Sequence, residues 1–182
     1  MITADARCIT DVKGRIGMAK DAFSKRKELL SKNFSKVLRK RMVKTLVWPV
    51  ALYGCETWIL RKEEIDRLNA FEMWLWRRIE KINWSDKITN KEVLEKVGER
   101  QSLVEAVMKR KKNRIGHVVR GEGLLRDVVE GIMEGKRPRR RPRIDMIGEL
   151  MEGSYVTMKR RAQDREKWRV WMPGTCREAE HL

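Results

Sequence analysis

The sequence predicts a mostly α-helical protein: a helical bundle, then a basic Pro/Arg-rich linker, then a helical C-terminal tail. Apolar residues recur every three or four positions along most of the chain, which is the helical period. Alternating Val, Ile and Thr, the pattern of half-buried strands, is absent over long stretches. Seven tryptophans in 182 residues indicate a packed core, because disordered chains lack such residues.

Apolar spacing predicts the first two helices. The first has Val12, Ile16, Ala19 and Phe23 on one face. The second continues the pattern with Leu38, Met42 and Leu46. Pro49 should kink or end this second helix, because proline lacks the backbone N–H that a helix interior requires.

The third and strongest helical pattern lies in the middle of the chain. Its apolar positions are Ile65, Leu68, Phe71, Leu75, Ile79 and Ile82. Its opposite face carries Arg67, Arg77 and Arg78. This segregation of apolar and charged residues is typical of a helix that packs one face against a core.

Two capping signals predict the next helices. Thr89 with Glu92 forms a capping-box pattern that opens a short helix, which Gly98 ends. Ser102 with Glu105 opens a longer helix. The apolar face of this longer helix has Val104, Met108, Ile115 and Val118, and its other face carries a basic run.

The pattern weakens after Gly121. The apolar residues between Leu124 and Ile132 fit a helix or a strand, and residues 136–143 contain two Pro and no apolar residue, which predicts an extended, exposed segment. Ser154 opens a last helix, which ends at Met172-Pro173-Gly174. One side of that helix has Met158, Ala162, Arg165 and Trp168. We expect a helical bundle at 1–121, a connector with the basic Pro/Arg-rich segment at 122–143 and a helical tail at 144–182.

The charge distribution predicts a polyanionic partner. The chain has a formal net charge of +17, and the excess lies in residues 1–60 and 109–143, which carry +8 and +9. Concentrated like charge is best tolerated beside a polyanion, so we expect RNA, DNA or an RNA–DNA hybrid; a merely solvated surface is the alternative. A membrane is not expected, because the longest nearly uncharged stretch has only 11 residues and no basic helix has an aromatic face.

The candidate binding residues follow from the densest basic runs. They are Lys36, Arg39, Lys40, Arg41, Lys109, Arg110, Lys111, Lys112, Arg114, Arg120, Lys136, Arg137, Arg139, Arg140, Arg141 and Arg143. The Pro138–Pro142 run resembles an AT-hook core, but Arg140 stands where that motif has Gly, so non-specific phosphate contact is the better interpretation. The same run is compatible with a nuclear-localisation patch, which fits an intracellular protein.

No catalytic, metal or cofactor site is predicted. The chain lacks paired Asp residues, a Walker loop, GxGxxG, GxSxG and HExxH patterns. Cys176 and His181 have half the spacing of a zinc knuckle, but no upstream CxxC completes it. His117, in apolar company on a helix, is expected to be a packed residue. The tryptophans at 48, 58, 74 and 76, with Tyr53, are expected in the core, with base stacking as the alternative.

Several segments, in order, resemble one family. Residues 51–58 (ALYGCETW), 67–79 (RLNAFEMWLWRRI), 114–120 (RIGHVVR) and 134–138 (EGKRP) resemble the region C-terminal to the polymerase core of non-LTR (LINE-like) retrotransposon endonuclease–reverse transcriptases. The likeness spans about the whole chain. It implies a thumb-like helical region with the C-terminal extension of such a polymerase.

The chain differs from that family in its catalytic residues. The family's palm carries an F/Y-x-D-D motif whose Asp residues bind Mg²⁺, and this sequence has none. The resemblance therefore implies a nucleic-acid-binding fragment of an RNA-directed DNA polymerase, without polymerase chemistry of its own. It would work alone or with a palm in cis or in trans. A protein–protein interaction module, or a non-functional relic of a truncated retroelement, is the alternative.

Overall fold

The computed structural model describes residues 8–31, 33–130, 147–151 and 154–172. These residues are mostly helical, as predicted, and contain no β-strand. They form two compact units. The first contains the described residues up to Gly54 together with Leu60–Val104, and the second contains Cys55–Ile59 and the described residues from Glu105 onward. The predicted division into a bundle at 1–121, a connector at 122–143 and a tail at 144–182 stays a prediction.

The first unit begins with three helical segments. They are α1 (Ile9–Ser24), α2 (Lys36–Met42) and α3 (Trp48–Ala51). Val12, Ala19 and Phe23 of α1 are buried, as the spacing predicted. Ser35 caps α2 by accepting a hydrogen bond from the Leu38 amide at 3.3 Å.

A π-helical turn joins α2 to α3. It spans Val43–Val47, and Pro49 lies in the first turn of α3. A first-turn position suits proline, because the missing N–H would have no partner there. Pro49 was expected to kink or end the helix. The helix does not end there, because helical backbone continues through Pro49 to Ala51, and the π-helical turn lies just before it.

The predicted apolar face of α2 is wrong by one position. Leu38 is 41% exposed, whereas the neighbouring row with Arg39, Val43 and Val47 is buried. Both rows repeat every four residues, so spacing alone cannot choose between them. Arg39 Nη1 donates to the Ile79 carbonyl at 3.1 Å, which partly offsets its burial, whereas its buried Nε has no hydrogen-bond partner among the described residues.

The long helix α4 (Lys62–Ile79) forms the centre of the first unit. Its core residues agree with the prediction at Leu68, Phe71, Leu75 and Ile79, all of which are buried. Glu64 Oε2 accepts a hydrogen bond from the Arg61 amide at 2.9 Å and closes the first turn.

Helix α5 (Asn90–Val97) begins and ends as predicted. Thr89 Oγ1 accepts from the Glu92 amide at 3.3 Å, and Glu92 Oε2 accepts from the Thr89 amide at 2.7 Å. Gly98 ends the helix at φ +64°, the left-handed conformation that glycine adopts without strain. α4 ends in the same hydrogen-bonding pattern, but there Lys81 occupies the left-handed position at φ +56°.

Helix α6 (Leu103–Arg120) starts against a buried carboxylate. Glu72 is fully buried, and its Oε2 accepts from the Leu103 amide at 3.0 Å and the Ser102 amide at 3.1 Å. A carboxylate at a helix N-terminus satisfies amides that lack intrahelical partners. Burial nevertheless raises the pKa of Glu72, outweighing these hydrogen bonds, which lower it.

The described tail contains two helices where the spacing predicted one. They are α8 (Tyr155–Gln163) and α9 (Arg165–Val170), preceded in the chain by α7 (Leu124–Glu130). Asp164 separates α8 from α9 because its carboxylate accepts from the Glu166 and Lys167 amides and starts a new helix. Met158, Ala162 and Trp168 are buried as predicted, whereas Arg165 is exposed.

Candidate nucleic-acid interface

The basic run of α6 does not form one continuous surface. Lys109 and Arg114 are exposed, and Arg110 is half-buried. Lys111 and Lys112, predicted to bind phosphate, are 0% and 2% exposed. The prediction is wrong for this pair, because a phosphate in solvent cannot reach a buried ammonium group.

The two buried lysines hold backbone carbonyls instead. Lys111 Nζ donates to the Trp58 carbonyl at 2.6 Å. Lys112 Nζ donates to the Trp171 carbonyl at 2.7 Å and the Arg169 carbonyl at 3.2 Å, at the C-terminal end of α9. Cations are favourable at helix C-termini, where carbonyls lack intrahelical partners.

Helices α6 and α9 pack closely at one glycine. A Cβ at Gly116 would overlap the Trp168 indole, so only glycine allows this approach. Trp168 Nε1 donates to the Lys112 carbonyl at 3.2 Å. The Gly116 contact and the bonds of Lys112 therefore fix α9 against α6.

This packing creates a basic cleft between the two helices. The cleft has a volume of about 560 Å³ and is lined by Asn113, His117, Arg120, Gly121, Arg165, Trp168 and Arg169. Three guanidinium groups and an imidazole lie there, and none of the described residues that line the cleft is acidic. Arginine presents planar donors that match phosphate oxygens, so the cleft suits a phosphate group.

The cleft arginines lie close enough to repel one another. The pKa of Arg120 is lowered, first by burial and then by the charge of Arg165. Arg120 Nη1 also donates to the Ala162 carbonyl at 2.7 Å, which holds its side chain at the end of α8. A bound anion would relieve the repulsion between these cations.

The cleft contains residues that the sequence analysis missed. Only Arg120 among its arginines was predicted to bind; Arg165 and Arg169 were not, and His117 was expected to be packed but is exposed. The spacing of Arg165 and Arg169 places them on one helical face, which is the only sequence signal. Their proximity to α6 depends on a contact across more than forty residues of chain.

The predicted cations of α2 are largely engaged within the first unit. Lys36 Nζ binds Glu80 Oε2 at 2.9 Å, and Lys40 Nζ binds Glu99 Oε1 at 3.2 Å. Lys40 Nζ also donates to the Val97 carbonyl at 3.0 Å, at the C-terminal end of α5. Of the four predicted α2 residues, Arg41 is exposed and its guanidinium has no partner among the described residues.

The core interpretation of the aromatic residues is confirmed at three positions. Trp48, Trp58 and Trp76 are buried, whereas Tyr53 is 66% exposed with the Arg15 guanidinium 4.4 Å from its ring centroid. Trp74 is half-buried.

Some predicted residues lie outside the described part of the chain. They are Lys136, Arg137, Arg139, Arg140, Arg141, Arg143, Cys176 and His181. Among the described residues, no group of three or more His, Cys, Asp or Glu side chains is placed to hold a metal ion. No helix of the described part is long and apolar enough to cross a membrane.

The described part offers one buried thiol. Burial raises the pKa of Cys55 to about 11, although the Arg110 charge beside it acts in the opposite direction. The thiolate is the reactive form of cysteine, so Cys55 is unreactive near neutral pH.

Comparison with known proteins identifies no relative. No family model, no curated protein and no solved structure matches the chain. The geometry of the cleft therefore carries the functional argument.

Proposed function

We propose that this chain binds nucleic acid through the phosphate backbone, as the thumb-side part of a non-LTR reverse transcriptase. The observation that carries the proposal is the α6–α9 cleft, which Arg120, Arg165 and Arg169 line and where no described lining residue is acidic. The exposed Lys109 and Arg114 lie on the same helix and extend the basic surface. Contacts of this kind position a nucleic acid without reading its sequence.

The proposed partner is RNA, DNA or an RNA–DNA hybrid inside the cell, with a nuclear setting suggested by the Pro138–Pro142 run. The polymerase assignment comes from the sequence resemblance and not from the cleft. The chain has no F/Y-x-D-D motif, so we propose that it supplies no polymerase chemistry itself. A palm joined in cis or acting in trans would have to supply the metal-binding carboxylates.

The test is a fluorescence-anisotropy titration against structured RNA, duplex DNA and an RNA–DNA hybrid at several salt concentrations. The double variant Arg165→Gln/Arg169→Gln should weaken binding to all three by about 10- to 100-fold. The slope of log K against log salt should become shallower by about 1.4 to 1.8, because each lost phosphate contact contributes about 0.7 to 0.9.

A matched control removes the same number of positive charges at a site outside the cleft. Lys62→Gln/Arg67→Gln alters two exposed residues of α4 and should change affinity far less than the cleft variant. If both double variants lost the same affinity, binding would depend on the total charge of the protein and not on the cleft. A folded wild-type chain that binds none of the three ligands at ~50 mM salt would overturn the proposal, and a protein–protein module or a relic would then be the better account.

A further inference from the structure

The first unit contains a second basic cleft, around Trp74. The cleft has a volume of about 630 Å³ and is lined by Leu30, Trp74, Arg77, Arg78, Lys81, Ile82 and Asn83. Seven tryptophans occur in the chain, and among the six whose side chains the structure describes, Trp74 is the one that is not buried. Part of the Trp74 side chain is therefore accessible in a basic cleft, where it can contact a ligand.

The indole of Trp74 is held in place by its neighbours. The Phe23 ring contacts it edge-on, with 5.4 Å between centroids, and the Phe71 ring lies nearly parallel at 6.3 Å. Phe23 and Phe71 are themselves buried. The orientation of Trp74 is therefore set by the core, and a ligand would meet a preorganised aromatic surface, which lowers the entropy lost on binding.

Cations surround this aromatic surface. Lys20 Nζ lies 5.2 Å and Arg78 Cζ 5.1 Å from the Trp74 ring centroid. Arg77 is fixed by hydrogen bonds to the Ile88 carbonyl at 2.7 Å and Asn90 Oδ1 at 3.0 Å, and it lines the same cleft. Within the part of the chain that the structure describes, no residue that lines this cleft is acidic.

Lys81 is also placed here by the backbone. It takes the left-handed position at the end of α4, with φ +56°, where glycine is the favoured residue. The Ile82 amide donates to the Arg77 carbonyl at 2.9 Å and fixes this conformation. The turn thus places Lys81 at the cleft, as the third cation among its lining residues after Arg77 and Arg78.

We propose that the Trp74 cleft binds an unpaired nucleobase of single-stranded nucleic acid. The base would stack on the part of the indole that the protein leaves exposed, beside the Arg78 guanidinium, which lies over the ring and can itself stack on a flat base. Lys20, Lys81 and Arg77 would neutralise the adjoining phosphates. The inference rests on the proposed function, since it takes the partner to be nucleic acid, and it adds a preference for unpaired bases.

The chemistry of the cleft selects this ligand over other anions. A phosphate or sulfate ion needs cations but not an aromatic surface. A duplex conceals the faces of its bases, so it could use only the cations. An unpaired nucleotide uses the aromatic face and the cations together, and every base has a face that can stack.

The experiment compares three fluorescent oligonucleotides of equal length: a single strand, the same strand with abasic sites throughout, and a blunt duplex. Trp74→Leu should weaken binding to the base-containing single strand by about 5- to 150-fold, which corresponds to loss of one stacked base. Its affinity for the abasic strand and the duplex should stay within about twofold of wild type, because both interact only through phosphates. Trp74→Phe keeps an aromatic ring and should lose less affinity than Trp74→Leu.

A spectroscopic readout covers the case in which Trp74→Leu fails to fold. The base-containing strand should quench part of the tryptophan emission of the wild-type chain, and this part should be missing in Trp74→Phe and with the abasic strand. Equal quenching of Trp74→Phe and wild type would overturn the inference. Equal affinity of the wild-type chain for the base-containing and abasic strands would overturn it too, while leaving backbone binding intact. Failure to bind any of the three oligonucleotides would overturn the proposed function as well.

Discussion

The basic stretches of α2 and α6 look alike in the sequence but are used differently. On α2, Lys36 and Lys40 stay partly exposed and pair with carboxylates. On α6, Lys111 and Lys112 are buried and donate to backbone carbonyls. Lys36 and Lys40 therefore form ion pairs at the surface, whereas Lys111 and Lys112 are part of the core.

The difference shows that charge density alone does not identify a binding surface. A lysine can extend its four-carbon chain through apolar packing and satisfy its ammonium group on carbonyls. On α6, buried lysines stand next in sequence to exposed Lys109 and half-buried Arg110, because successive residues of a helix point in different directions. On α6, the cations that remain accessible to an anion are those of its outward face and of the α6–α9 cleft.

The strongest test of this comparison removes a buried ammonium group. Lys112→Ala should lower the free energy of unfolding by about 3 kcal/mol, because it leaves a cavity and deprives the Arg169 and Trp171 carbonyls of a donor. Urea unfolding followed by circular dichroism measures the change. Lys109→Ala, an exposed neighbour on the same helix, should stay within about 0.5 kcal/mol of wild type. Similar losses in the two variants would contradict the distinction between core and surface lysines.

A second test concerns the buried carboxylate at the start of α6. Glu72→Gln should lower the free energy of unfolding by about 1 to 2 kcal/mol, because an amide group replaces one oxygen that accepts the Ser102 and Leu103 amides.

The raised pKa of Glu72 adds a pH signature to this variant. Above the ordinary value of 4.5, the folded state retains a proton that the unfolded state has released, so the wild-type chain loses stability from this group as the pH rises toward the folded-state pKa. Glu72→Gln should lack this loss, and the difference between the two chains should shrink as the pH rises through that window. A difference that is constant over the same window would show that Glu72 does not titrate as inferred. Unfolding curves at a series of pH values distinguish the two results.

The smallest effect is expected at the surface pairs of α2. Glu99→Gln removes the carboxylate that Lys40 binds at 3.2 Å and Lys44 binds at 2.7 Å, and it should lower the free energy of unfolding by about 0.5 to 1 kcal/mol. Burial acts to raise the pKa of Glu99, but the two lysines outweigh it and lower the pKa. The stabilisation should therefore be present above pH 4.5 and disappear as the pH falls through the folded-state pKa.

Salt distinguishes this surface pairing from the buried lysines. The effect of Glu99→Gln should decrease at ~1 M salt, since partly exposed pairs are screened. The effect of Lys112→Ala should persist, because its ammonium group is shielded from ions. A salt-independent Glu99→Gln would mean that α2 and α6 use their lysines in the same way.

The helical segments could be predicted in detail from local signals. The capping box of Thr89 and Glu92 marks the start of α5, and Gly98 marks its end. Several buried positions of α1 and α4 follow from their spacing, whereas the buried Glu72, Met73 and Trp76 of α4 do not. Such features depend on residues three or four positions apart, so the sequence contains the information needed to predict them.

Two errors arose where local signals were ambiguous. Two adjacent rows of side chains, one starting at Leu38 and one at Arg39, repeat every four residues. The row with Arg39 is the buried one, and the Ile79 carbonyl accepts a hydrogen bond from the Arg39 guanidinium. The segment from Tyr155 to Val170 has a continuous helical spacing, but Asp164 prefers to cap a new helix. In each case the apolar spacing fitted two arrangements equally well, and a hydrogen bond accompanies the one that the structure adopts.

The sequence by itself determined that this protein is helical, strongly basic and without a metal-binding polymerase motif, because composition and local periodicity contain that information. Only the tertiary structure decided which cations face solvent. Lys112 became a core residue and Arg165 a cleft residue because Gly116 lets the Trp168 indole approach the backbone of α6. That contact joins residues about fifty positions apart, so it cannot be predicted from the periodicity of a single helix.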